Sequence, residues 1–270
     1  MLEAIKETTS YIREKAGQLP EIAIILGTGL GELASEIEIR LSMEYSEIPN
    51  FPVSTVDGHD GRMIIGKFGN REIIALKGRF HYYEGYTMEE VTFPVRVLRS
   101  LGVTHLFISN AAGGLNPAFS VGDVMFINDH INLMPNPLLG KHYPEYGERF
   151  PDMSEVYNKK LIREAMGIAG EIDLKAHTGC YIGVTGPTLE TPKEYEYFRI
   201  IGGDAVGMST VPEAIVAHQM HLRIFALSVI TDLGVPGKIE KISHELVLEA
   251  ATRVTPKLTT LVRQLIRHID

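Results

Sequence analysis

The sequence predicts an α/β fold, a β-sheet covered on both faces by helices, and three observations carry that prediction. Short apolar runs of strand length recur along the chain, alternating with segments of helical periodicity. Three helical segments open on one local signal, a threonine followed three residues later by a glutamate: Thr87 with Glu90, Thr191 with Glu194, and Thr210 with Glu213. No low-complexity stretch, internal repeat or Pro-, Ser- or Gly-rich linker interrupts the 270 residues, which therefore read as a single domain spanning 1–270.

Taken in order, residues 2–16 have helical periodicity, and Glu21–Leu26 is a short apolar run ended by Gly27, as in a buried strand. Met63–Gly66 and Glu72–Leu76 flank Gly69-Asn70 and read as a hairpin. The helix capped by Thr87 runs to Gly102, and His105–Ser109 forms the next strand. Residues 132–158, dense in Pro, Tyr and Asn, read as one long functional loop rather than a domain boundary. Cys180 sits in the strand-like Gly179–Val184, where it is expected to be a buried small apolar residue. Thr191-Pro192 and Thr210-Val211-Pro212 start two further helices with proline just inside. Arg223–Ile230 is a strand, and a last helix begins near Ser243.

Composition removes several function classes. With 26 Lys and Arg against 34 Asp and Glu, the formal charge is −8, which argues against a nucleic-acid partner. A single cysteine permits no intrachain disulfide and fits a reducing compartment. The acidic, amphipathic N-terminus is unlike a signal peptide, and no apolar run approaches the roughly 20 residues that cross a bilayer. A cytoplasmic protein without a membrane partner is expected.

The chemistry concentrates on five glycine-bearing loops. Gly78-Arg79-Phe80-His81-Tyr82-Tyr83-Glu84-Gly85-Tyr86 follows a strand and carries a guanidinium, an imidazole and phenols, a set suited to an anion beside a sugar-sized polar group. Gly27-Thr28-Gly29-Leu30-Gly31 precedes a helical pattern and reads either as a phosphate cradle or as a tight turn. Glu32 stands where a dinucleotide fingerprint needs glycine, and no Gly-Lys-Ser/Thr of a P-loop follows. Asn110–Pro117, placed just after a strand ending at Ser109, allows close backbone approach or is a plain loop. Thr185–Pro192 sets Glu190 beside a helix N-cap, and Gly207–Pro212 sets Ser209 at another, with Met208 as a flat apolar wall. His218 and His221 lie three apart on a helix but lack a completing ligand, so no metal site is expected.

Gly-Thr-Gly-Leu-Gly, Gly-Arg-Phe-His-x-Tyr-Glu-Gly-Tyr, Asn-Ala-Ala-Gly-Gly-Leu-Asn-Pro, Gly-Pro-x-x-Glu-Thr-Pro and Ala-Val-Gly-Met-Ser-Thr-Val-Pro-Glu occur here in that order. Together they resemble the trimeric purine nucleoside phosphorylases, over nearly the whole chain. The resemblance implies a single domain with a central mixed β-sheet flanked by helices. It implies phosphorolysis of a purine nucleoside by orthophosphate, a substrate, with no cofactor. By similarity Thr28, Arg79, His81, the Ala111 backbone N–H and Ser209 hold phosphate, with His59 at its entrance. Tyr83, Met208 and His244 line the sugar. Glu190 and Asp232 hold the base beside Ala112 and Gly207, and His81, Glu190 and Asp232 are the catalytic candidates. A homotrimer is implied, with Tyr146 or Phe150 closing a neighbouring subunit's pocket. Ser243 as N-cap puts His244 at the positive end of a helix, which favours a neutral ring over an imidazolium.

One residue departs from the pattern. Asp232 stands where the family usually has asparagine, whose amide donates to a 6-oxopurine, whereas an ionised aspartate only accepts. Either Asp232 is protonated, its pKa raised by a closed pocket and by Glu190, and acts as a general acid. Or it accepts from a 6-amino group, as in a phosphorylase preferring adenosine or 5′-methylthioadenosine. A hydrolytic nucleosidase and a nucleotide-binding module built on the Gly27 turn are the competing readings, and both leave Arg79, His81 and Ser209 without a purpose.

Overall fold

The computed structural model describes residues 1–27, 31–53, 61–241 and 243–269, the side chain of residue 244 apart. Among these described residues nine strands form one mixed sheet: β1 (Ile22–Leu26), β2 (Glu38–Glu44), β3 (Arg62–Phe68), β4 (Arg71–Lys77), β5 (His105–Gly114), β6 (Val124–Asn132), β7 (Ala176–Gly183), β8 (Ala205–Gly207) and β9 (Arg223–Leu233). Six α-helices accompany them: α1 (Leu2–Ala16), α2 (Met88–Leu101), α3 (Lys159–Glu171), α4 (Pro192–Ile200), α5 (Val211–Gln219) and α6 (His244–Arg267). The expected hairpin is present as β3 and β4, paired antiparallel across Gly69-Asn70.

β5 organises the molecule. One edge pairs in parallel with β9 along its whole length. The other edge pairs with β1 only as far as Ile108 and with β8 only from Gly113. Between them, Ser109–Ala112 face a gap where neither neighbour reaches. β8 continues to β7, β7 to β6, and β6 back to β9, so five strands close into a ring. β1, β4, β3 and β2 extend from the other limb of β5 as an open sheet. The gap is a switch point outside strand ends, where open α/β sheets place their ligands.

Apolar runs of β-branched residues fill the strand interiors, with Ala23, Ile65, Ile73, Leu106, Phe126, Ile224 and Val229 fully buried. α1 packs on α2 and α2 on α5, while α5 and α6 pack on β9. Pairs Thr87–Glu90 and Thr191–Glu194 form complete capping boxes at the starts of α2 and α4, each worth about 1 kcal/mol at its helix end.

Four local expectations are corrected. The Thr210–Glu213 pair is not a capping box: Thr210 has φ 66° and its side chain makes no cap bond, because Glu213 is drawn off by Arg79. Among the described residues between Gly27 and β2, the predicted helical pattern is a 3₁₀ turn, Gly31–Glu36. Residues 110–114 are not a loop but the second half of β5. Cys180 is half-buried, its thiol pushed up to about 11 by burial and then by Asp129 and Asp204.

Candidate active site

Strand ends bring the predicted side chains together. A cavity of about 170 Å³ beside the gap in β5 is lined by Arg79, His81, Tyr83, Ala111, Ala112, Glu190, Gly207, Met208, Ser209 and Asp232. These come from the turn after β4, from β5, from the loop before α4, from β8 and its following turn, and from the end of β9. Thr28 and His59 lie outside the described residues, as does the side chain of His244; Ser243 does cap α6, accepting from Leu246 N.

One end of the cavity is cationic. Arg79 is buried, and its Nε and Nη2 donate to the two carboxylate oxygens of Glu213 at 2.9 and 3.1 Å. Nη1 donates to the Ser109 carbonyl at 2.9 Å and to Ser209 Oγ at 3.4 Å. The guanidinium is thus fixed on three sides, an orientation a single phosphate contact could not set. Gly27 explains part of the approach: its N–H donates to Ser109 Oγ at 3.3 Å, and a Cβ there would run into the Ser109 carbonyl oxygen.

Thr210 is a β-branched residue in left-handed backbone, which costs of order 1–3 kcal/mol. Its hydroxyl accepts from Asn110 Nδ2 at 2.8 Å and contacts Ser209 Oγ at 3.2 Å. That turn aims Ser209 at Arg79. Glu84 does the same for His81: its Oε1 takes the His81 backbone N–H at 2.8 Å and Nδ1 at 3.0 Å. The ring is stacked on Tyr83, centroids 4.6 Å apart. Burial lowers the His81 pKa, against the pull of Glu84. The lowered pKa favours the neutral imidazole, whose Nδ1–H then donates to Glu84.

The other end is acidic. Asp232 Oδ1 accepts from Thr231 Oγ1 at 3.0 Å, and a side chain added at Gly113 would begin 3.0 Å from Oδ2. Burial raises the Asp232 pKa; burial raises that of Glu190 too, with the charge of Asp232 adding to it. Tyr195, from α4, interacts with both carboxyl groups. From Asn110 to Gly113 the two ends are separated by three residues of β5, about 10 Å, the span of a nucleoside.

Three functional neighbours escaped the sequence reading. Glu213 looked like a helix cap, Glu84 was only one letter of the Gly78–Tyr86 loop, and Tyr195 was not singled out. Spacing held a trace of Glu84, three residues from His81; Glu213 is 134 residues from Arg79 and left none. Of the two aromatics expected at a neighbouring subunit, Tyr146 is buried in its own chain with the Arg96 guanidinium 5.5 Å over its ring, and Phe150 is 85% exposed. Tyr146 thus turns into its own chain, while Phe150 turns outward beside the Arg149 guanidinium.

A closed strand ring joined to an open sheet, with a cationic end and an acidic end in one gap, defines the class. The model of the Phosphorylase superfamily matches residues 21–267, and the chain belongs to that family. Its relatives within it carry a narrower name. It is 45% identical over 267 residues to purine nucleoside phosphorylase 1 of Geobacillus stearothermophilus, covering 98% of this chain and 97% of that one. The purine nucleoside phosphorylase of Schistosoma mansoni, solved in complex with adenosine, superposes with a TM-score of 0.94 at 36% identity, over 99% of this chain and 98% of that one. Isoform 2 from the same organism, solved with cytosine and ribose-1-phosphate, does so with 0.94 at 39% identity, over 99% and 97%.

Proposed function

We propose that this protein cleaves purine nucleosides by phosphorolysis, giving the free base and α-D-ribose or deoxyribose 1-phosphate. What carries this is the pairing, in one cavity, of a clamped Arg79 with Ser209 and His81 at one end and of Glu190 with Asp232 at the other. The glycosidic bond breaks through an oxocarbenium-like state, positive on the sugar and negative on the departing purine. Orthophosphate at the Arg79 end stabilises the sugar cation and then captures C1′. His81, with Nδ1 turned to Glu84, accepts a hydrogen bond from a phosphate P–OH at Nε2. Thr28, the Ala111 N–H and His59 complete the phosphate shell, and Tyr83, Met208 and His244 hold the sugar. Glu190 accepts from the purine N–H edge, and Asp232 faces its imidazole ring, with Ala112 and Gly207 forming the walls.

A relative solved with adenosine and another with ribose-1-phosphate support nucleoside and sugar phosphate as the ligands. The curated relatives are named for purine nucleosides, so a methylthioadenosine phosphorylase is not the favoured reading. Orthophosphate is the second substrate, and no cofactor is needed. The working unit is a homotrimer in the cytoplasm, with Phe150 reaching a neighbour's sugar pocket; no helix among the described residues is long and apolar enough to cross a membrane.

Release of hypoxanthine from inosine is the test. Release that requires orthophosphate and yields one ribose 1-phosphate per base is expected. Equal release in phosphate-free buffer makes the enzyme a hydrolase and overturns the proposal.

A further inference from the structure

We propose that Tyr181 is a positioning residue for the phosphate end of the cavity: its buried hydroxyl seats the Gly207–Ser209 turn so that Ser209 Oγ faces Arg79. This rests on the phosphorolysis reading and deepens it.

Tyr181 lies in the second half of β7, inside the closed ring of strands, and is fully buried. Its backbone is paired on both edges, with His130 of β6 and with Ala205 of β8. The cavity wall at this end is made by Arg79, His81, Gly207, Met208 and Ser209, with Tyr181 behind it. The phenol therefore acts only through the residues it touches.

β8 ends at Gly207, and the last bond to the chain leaving β7 runs from Val184 N–H to the Gly207 carbonyl at 2.9 Å. There the backbone passes so close over the phenol that a Cβ on Gly207 would collide with Tyr181 Oη. Gly207 is outside the left-handed region, so close approach and not conformation calls for glycine. Two residues on, Ser209 N–H donates to Oη at 3.4 Å. Among the described residues this amide has no other acceptor, and a buried phenol needs a polar partner.

The other side of Ser209 is tied to the start of α5. Its carbonyl accepts from Val211 N–H at 2.7 Å, and Asn110 holds the Thr210 hydroxyl. With its amide on the phenol and its carbonyl on the helix, Ser209 has Oγ 3.4 Å from Arg79 Nη1. Met208 is held differently: its side chain packs on Gly186, where a Cβ would collide with Sδ. The sugar wall thus does not depend on the phenol.

Phenylalanine at 181 keeps the ring but leaves the Ser209 amide without its acceptor and opens space under Gly207. The turn then settles toward β7 and draws Oγ away from the anion. Burial pushes the phenol up to about 12, so the hydroxyl stays protonated through the neutral range.

The test is steady-state kinetics with inosine and orthophosphate varied separately. Tyr181→Phe should raise the KM for phosphate about fivefold, the loss of roughly one hydrogen bond, with the KM for inosine unchanged. A double-mutant cycle with Ser209→Ala separates positioning from packing. On the Ser209→Ala background, Tyr181→Phe should add no further rise. Effects that multiply to about 25-fold overturn the inference. So does a Tyr181→Phe enzyme with only kcat or Tm lowered and the KM for phosphate unchanged. Should Tyr181→Phe fail to fold, Gly207→Ala takes its place in the cycle, because the added methyl lifts the turn off the phenol. The KM for phosphate then rises with Ser209 present and not with Ser209→Ala; no rise, or an equal rise in both, overturns the inference. Base release from inosine by the unmutated protein without phosphate overturns the phosphorolysis reading, and this one with it.

Discussion

Replacing Glu213 by glutamine tests how the cationic end of the cavity is built, and whether phosphate binds there as proposed. Arg79 and Glu213 are both nearly inaccessible, 2% and 5% exposed at the side chain, and joined by two hydrogen bonds. Removing one partner of such a pair leaves a buried charge uncompensated, at about 3–5 kcal/mol. Glutamine keeps the shape and one acceptor, so the low end applies, about 3 kcal/mol, or about 6–12 °C in Tm for a chain of this size. Orthophosphate should then offset part of the damage, because it brings the stranded guanidinium a counter-charge. In the unmutated protein, phosphate at a hundred times its Kd adds about 2.7 kcal/mol by mass action. In the variant the increment must be larger. Thermal unfolding at fixed protein concentration, first without phosphate and then across a phosphate titration, measures both quantities. An unchanged Tm without phosphate, or equal phosphate increments in the two proteins, refutes the reasoning that Glu213 is the resident counter-ion of Arg79.

Three further outcomes are expected. Ser209→Ala removes one donor beside Arg79, a loss of about 1 kcal/mol, so steady-state kinetics should show the KM for phosphate rising about fivefold with the KM for inosine little changed. Phe150→Ala takes away an exposed ring; Tm at low protein concentration should hold, while the KM for nucleoside rises about tenfold if the ring is buried on a neighbour, and sedimentation reports the assembly. His81, His105 and His130 all have pKa values lowered by burial. The unfolded chain takes up those protons near pH 6.5 while the folded one resists. Their contribution is therefore complete above about pH 6.5 and lost as the pH falls through the folded values. Tm measured downward from pH 7 should fall, and a flat profile to pH 5 contradicts it.

The periodic parts of the fold were readable in advance, and so were the parts of the site that sit on short glycine-bearing segments. β3 and β4 announced themselves through Gly69-Asn70, and Thr87 and Thr191 through their glutamates, because those signals are local and no tertiary contact competes. Thr210 and Glu213 carry the same letters and behave otherwise. There a buried arginine 134 residues away outbids the helix end, and nothing in the local sequence reports it. The second half of β5 looked like a loop because Ala111, Ala112, Gly113 and Gly114 have low strand propensity; pairing with β9 on its far edge holds them extended. A loop rich in aromatics likewise gives no hint of which ring turns inward, as Tyr146 does over Arg96.

A sheet that joins one side to itself has no loose margin there. Five strands of this protein form such a hoop, and the open end of the sheet is the outer side of β2. That margin is guarded. Glu38, Arg40 and Glu44 stud it, and a register shift between Ile39 and Leu41 breaks its line. Charges and a bulge are what discourage two such margins from docking into a continuous ribbon. The same closure that shapes the crevice thus leaves the open end of the sheet at β2, where those charges stand against polymerisation.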